Sequence, residues 1–141
     1  FLTPSTLLIN IALPPFLSSL TQPHPLCKVQ RQKEAPTLKK CRITVMRVAE
    51  YRDLMARYEN PMEHPCGLRE GQVFLANGWE KPEGLCQSAW DTMSPFVLAL
   101  SHGGQGFYGG WMKDPRSVML SCNDGFRPVS FLVEALEEDA D

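Results

Sequence analysis

The sequence lacks most of the patterns that tie a chain to a known chemistry. Its five cysteines are odd in number, and no two of them have C-x-x-C spacing. That argues against a disulfide framework and against a standard zinc finger. There is no G-x-x-x-x-G-K-[ST] phosphate loop, no Ser-His-Asp order and no cofactor fingerprint. No pair of carboxylates stands at a spacing that would mark acid–base work. No apolar run reaches the roughly twenty residues of a membrane span, because Pro14-Pro15 breaks the longest one. The basic start of a secretory signal is also missing, since no charge precedes Lys28. Net charge is only −2, so there is no global electrostatic case for nucleic acid. The basic residues that do cluster lack interleaved aromatics. Reduced thiols in a cytoplasmic protein are the expectation, with the first residues able to redirect it.

The 141 residues suffice for one domain with a real core. Charge is unevenly spread. Residues 1–47 hold seven Lys or Arg and one acid, Glu34, whereas the remainder holds seven basic residues against fifteen acidic ones. We expect residues 1–38 to be a cleaved or disordered leader with a basic linker, or an arm packing on a partner subunit. Residues 39–136 then form a single domain. Glu134 to Asp141 is an acidic run whose end, 137–141, reads as a solvated tail.

Within the domain, Cys41, Ile43 and Val45 alternate with polar neighbours, the pattern of a half-buried strand. Tyr51, Leu54, Met55 and Tyr58 predict an amphipathic helix over 49–59 with this stripe in the core. Pro61 to Arg69 is a loop carrying His64-Pro65-Cys66. Gln72 to Ala76 is a second strand, closed by Asn77-Gly78. Pro82 and Gly84 then turn the chain into its central element. Cys86, Trp90, Met93, Val97 and Leu100 step by four, three, four and three, one face of a helix. Ser94-Pro95 predicts a kink or a second start. Cys86 falls in the first turn, where free N–H groups and the helix dipole favour an anion, a setting of reactive thiols. The competing expectation is a small buried residue behind Trp90.

Gly103 to Trp111 alternates glycines with Phe107, Tyr108 and Trp111, which suggests a flap with aromatic anchors or a surface loop tucked onto the core. Ser117 to Cys122 is a third strand. Asn123-Asp124-Gly125 is a hairpin turn, and Arg127 to Leu136 a fourth strand. The order strand-helix-strand-helix-strand-strand gives an α+β fold: a small mixed, mostly antiparallel sheet with helices on one face. An open sheet edge favours a homo-oligomer.

Four motifs occur in one order. They are Cys41-Arg-Ile-Thr-Val; Pro65-Cys66 followed by Glu70-Gly71-Gln-x-Phe74; Pro82-Glu83-Gly84-x-Cys86 with Ala89-Trp90; and Cys122-x-Asp124-Gly125-x-Arg127-Pro128-Val129. Over about Lys39 to Leu136 the set resembles a family of small, uncharacterised cysteine-containing proteins widespread in anaerobic bacteria and archaea. The resemblance points to Cys66, Cys86, Trp90, Cys122, Asp124 and Arg127 and brings no activity with it. Two departures stand out. Ser121-Cys122 replaces two adjacent cysteines, and Pro95 interrupts a position where that family runs one helix.

Three functions are compatible with these residues. The first is a small-molecule site, whether catalytic or not, built on thiols. Cys86, Cys122, Asp124 and Arg127 would carry the chemistry, and Trp90, Phe107, Trp111 and His102 would wall the substrate. His64 or His102 would accept the proton. The second is a zinc site made of Cys66, Cys86, Cys122 and His64. The missing adjacent thiol weakens any version needing four cysteines. The third is a non-catalytic oligomeric interaction module.

Overall fold

The computed structural model describes residues 37–63 and 65–141. The expected leader, up to Pro36, and His64 lie outside the described residues. Four strands and two α-helices are present among the described residues: β1 (Lys39–Val48), α1 (Arg52–Tyr58), β2 (Val73–Ala76), α2 (Gln87–Ser101), β3 (Ser117–Ser121) and β4 (Val129–Asp139). The strand order across the sheet is β2-β1-β4-β3. All three pairings are antiparallel, so the fold is α+β with no parallel component in its sheet. No helix among the described residues is long and apolar enough to cross a membrane.

The core follows from the period-two pattern of the strands. Cys41, Ile43 and Val45 from β1 meet Phe74 and Ala76 from β2, and Val129, Phe131 and Val133 from β4. Val118 and Leu120 of β3 complete that face. Onto it α2 lays Ala89, Trp90, Met93, Val97 and Leu100, all buried. Each fully buried side chain of this size contributes about 1.5–3 kcal/mol through removal from water. Burial pushes the Cys41 thiol up to about 11.

Several expectations change here. The helix does not divide at Ser94-Pro95; α2 runs continuously with Pro95 inside it. Pro95 and Asp91 are both exposed. The carbonyl that Pro95 leaves without its helical partner is therefore on the solvent side, where water can satisfy it. The stripe on α1 is not core: no residue of α1 is buried. Among the described residues, only α2 covers the sheet with buried side chains, so the expectation of two packed helices is replaced by one. The acidic end is not a free tail as far as Asp139. It is strand, facing the basic start of β1, with Lys39 on Asp139, Lys40 on Glu138 and Arg42 on Glu134. Arg116 pairs with Glu137. Opposite charges brought side by side by strand pairing explain why this run is ordered.

Candidate functional site

The site is built where three connections meet at the N-terminal end of α2. The first is the turn from Pro82 to Cys86. Leu85 N–H bonds the Pro82 carbonyl at 3.4 Å, and Gly84 takes φ +79°, a conformation that L side chains rarely adopt. Lys81 Nζ bonds the Leu85 carbonyl at 2.6 Å and holds the turn against the helix start. Cys86 is the N-cap of α2, and its sulfur accepts the Ala89 N–H at 3.4 Å. It satisfies one of the donors that a helix start leaves free. Cys86 is exposed, so it is not the buried residue behind Trp90.

The second connection is the loop between β3 and β4. Cys122 follows the last residue of β3. Its N–H bonds the Val129 carbonyl at 3.0 Å, and its sulfur accepts the Val129 N–H at 3.3 Å. Asp124 Oδ1 accepts the N–H groups of Phe126 and Arg127 at 2.8 and 2.9 Å, which folds the turn. Asn123 Nδ2 reaches the Ser88 carbonyl at 3.4 Å and ties this turn to the first turn of α2. Arg127 meets Glu59 through two bonds, 2.5 and 2.8 Å, with both side chains largely covered. The Glu59 carboxylate raises Arg127 above its already high ordinary value, so the guanidinium stays charged.

The third connection is 59–72. Among the described residues, 65–68 form no helix or strand and make no backbone–backbone hydrogen bond. Leu68 packs against the core and anchors one end, while Cys66 is exposed.

Together these connections border an open cavity of about 380 Å³. Cys66, Cys86 and Cys122 line it, with Asp124 and Arg127 at the hairpin turn and Leu68, Gln72 and Ser88 between them. The volume is that of a small-molecule site. The four residues expected to carry chemistry are thus brought together, and Cys66 joins them.

The four expected walls are elsewhere. Trp90 faces the core and a separate recess with Trp79, Ser94, Pro95 and Leu98. His102 is the C-cap of α2, with Nδ1 2.8 Å from the Leu98 carbonyl. Phe107 sits edge-on against Phe96 at 5.5 Å, and Trp111 leans on Tyr108 at 5.0 Å while 77% exposed. His102 stands at the far end of α2, about 22 Å from its start for fifteen residues of helix, and Phe107 and Trp111 belong to the ring cluster built on Phe96.

The zinc alternative asks Cys66, Cys86, Cys122 and His64 to converge on one ion. Among the described residues, no three His, Cys, Asp or Glu side chains are grouped closely enough to hold a metal, and His64 lies outside them. The three thiols border a shared space rather than meet at a point. Glu59, which fixes Arg127, was not legible: it lies 68 residues from its partner, and no local pattern marks it.

No family model matches the chain, no curated protein matches it, and no solved structure matches it.

Proposed function

We propose that this protein is a small-molecule-binding thiol protein whose ligand enters the cavity at the N-terminal end of α2 and meets Cys86. The observation that carries this reading is three cysteines from three separate connections lining one cavity of about 380 Å³. A core needs no thiols there, and Cys41 shows what a cysteine used as core looks like: fully buried, with its thiol on the Val97 carbonyl at 3.8 Å. Cys86 is the reacting group, being exposed and set on a helix N–H. Asp124 and Arg127 act chiefly as framework, since Asp124 closes the turn and Arg127 is held by Glu59.

The test is titration of the native protein with a chromogenic disulfide, followed by peptide mapping. One fast thiol at Cys86 is the expected result. Uniformly slow thiols, or a fast thiol elsewhere, would remove the basis for this reading.

A second reading, self-association, has its own observation. Among the described residues, no helix packs on the sheet face opposite α2. Val73, Thr44, Leu132 and Met119 stand in register across its four strands, and Val73, Leu75 and Met119 are about half exposed. Beside this row Arg42 and Glu134 face each other as an ion pair. A second copy turned by a two-fold axis can then meet this face with opposite charges opposed. Sedimentation equilibrium checks it. A dimer that Leu75→Glu converts to monomer supports the reading, and a wild-type monomer at all concentrations refutes it.

A further inference from the structure

Cys66 and Cys86 border the same cavity from unlike settings, and that contrast assigns them complementary parts. Building on the thiol-site reading above, we propose that the cavity performs thiol–disulfide exchange on small-molecule disulfides, with Cys86 attacking and Cys66 resolving.

The reaction needs two thiols that face one substrate volume. The attacking thiol must be accessible, with its sulfur free to meet the substrate, and the resolving thiol must be able to approach it. Cys86 meets the first need: it is exposed, it caps a fifteen-residue helix, and its sulfur accepts a helix N–H. Cys66 meets the second. It is exposed, it lies in a stretch without helix or strand, and it is followed by Gly67, around whose Cβ position nothing lies within 4 Å. Cys122 lines the same cavity but is less suited to move. Its backbone N–H and its sulfur both bond Val129, and it is partly covered. Cys41 is fully buried on the sheet and plays no part.

The steps balance. The Cys86 thiolate attacks one sulfur of R–S–S–R; that S–S bond breaks, and RS⁻ departs with the bonding pair. The mixed disulfide Cys86–S–S–R forms. The Cys66 thiolate then attacks the Cys86 sulfur, a second RS⁻ departs, and a Cys66–Cys86 disulfide remains. The two protons given up by the protein thiols go to the two RS⁻ groups. The protein dithiol loses two electrons, and the substrate disulfide gains them as two thiols. A dithiol reductant reverses the sequence and resets the protein.

The experiment treats the reduced, full-length chain with oxidised glutathione and follows released glutathione, intact mass and the peptide map. The expected product is two hydrogens lighter, contains a linked Cys66–Cys86 peptide pair, and has released two glutathiones per chain. Cys66→Ser should stop at a stable glutathione adduct on Cys86. His102→Ala, at the opposite end of α2, should behave as wild type. Accumulation of the Cys86 adduct in the wild type, or a bridge to Cys122 or Cys27 instead, would overturn the exchange proposal and leave the thiol site standing. An unreactive Cys86 would overturn both.

Discussion

The two ends of α2 are built from the same kinds of turn and have opposite contents. At the N-terminal end, three connections approach one another and leave a space between them, lined by thiols and by the Arg127 that Glu59 holds. At the C-terminal end, glycines wrap the helix terminus tightly, and the aromatics that follow stack on one another. Gly103 N–H bonds the Leu100 carbonyl at 2.9 Å and Gly104 N–H the Ala99 carbonyl at 2.7 Å, a complete Schellman cap. Phe96, Phe107, Tyr108 and Trp111 form a chain of ring contacts at 5.0–5.7 Å. Glycine content and aromatic residues alone therefore do not locate a ligand site. What distinguishes the ends is whether their backbone groups and side chains are consumed in packing or left bordering a cavity.

The sharpest way to break this comparison is by thiol kinetics. Cys86→Ser should remove the fast phase of reaction with a chromogenic disulfide entirely. His102→Ala and Trp111→Ala should leave that phase unchanged. A rate altered by the distal pair would mean that the two ends communicate, and the contrast would fail. The next effect is one of stability. Leu100→Ala, in the fully buried face near the C-terminal end, should cost about 2–5 kcal/mol in urea denaturation. Cys86 should keep its fast phase in the remaining folded protein.

Much of the fold was legible in the sequence because period and burial coincide there. The alternation of Cys41, Ile43 and Val45 and the face of Trp90, Met93, Val97 and Leu100 both lie in the core as their spacing requires. The stripe of α1 has the same periodicity and is exposed, because amphipathicity states which residues share a face and not what covers it. The thiols of the cavity were legible as residues placed at turns and element ends. Their common cavity depends on Asn123 docking on Ser88 and on Glu59 holding Arg127, contacts 35 and 68 residues apart. Phe107 and Trp111 are expected beside the cysteines because ligand sites are mostly apolar with few polar groups. The rings of Phe107 and Trp111, however, are taken up by Phe96 and Tyr108, away from the start of α2.

A smaller effect separates the core thiol from the cavity thiols by pH. The Cys41 thiol stands at about 11 in the folded chain against 9.0 for an ordinary one. In that interval the unfolded chain releases the Cys41 proton and the folded chain keeps it, so the unfolded state gains. The stabilising contribution is whole below 9.0 and declines as pH rises through the folded value. The decline is roughly 1.4 kcal/mol per pH unit within this window. Urea denaturation at stepped alkaline pH should show that slope in the wild type and a shallower one in Cys41→Ala. Equal slopes would place Cys41 outside the core.

The smallest effect tests the comparison at its two glycines. Gly84 and Gly103 flank α2 at φ +79° and +83°, so alanine is strained at each. An L residue in this region costs about 1–2 kcal/mol, partly offset by the lower chain entropy of the unfolded alanine variant. Gly84→Ala meets only Phe74 Cε1 at 3.7 Å, an ordinary contact, and Gly103→Ala meets open space. Packing therefore adds nothing to either, and both variants should lose a similar amount of stability, about 1 kcal/mol. They should differ in chemistry. Gly84 lines the cavity two residues before Cys86, so strain there shifts the N-cap and changes the rate of the Cys86 thiol. Gly103 touches no part of the cavity, and its variant should react at the wild-type rate. Equal losses of stability with a rate change at only one end would show that the thiol's setting belongs to the local turn and not to the helix as a whole.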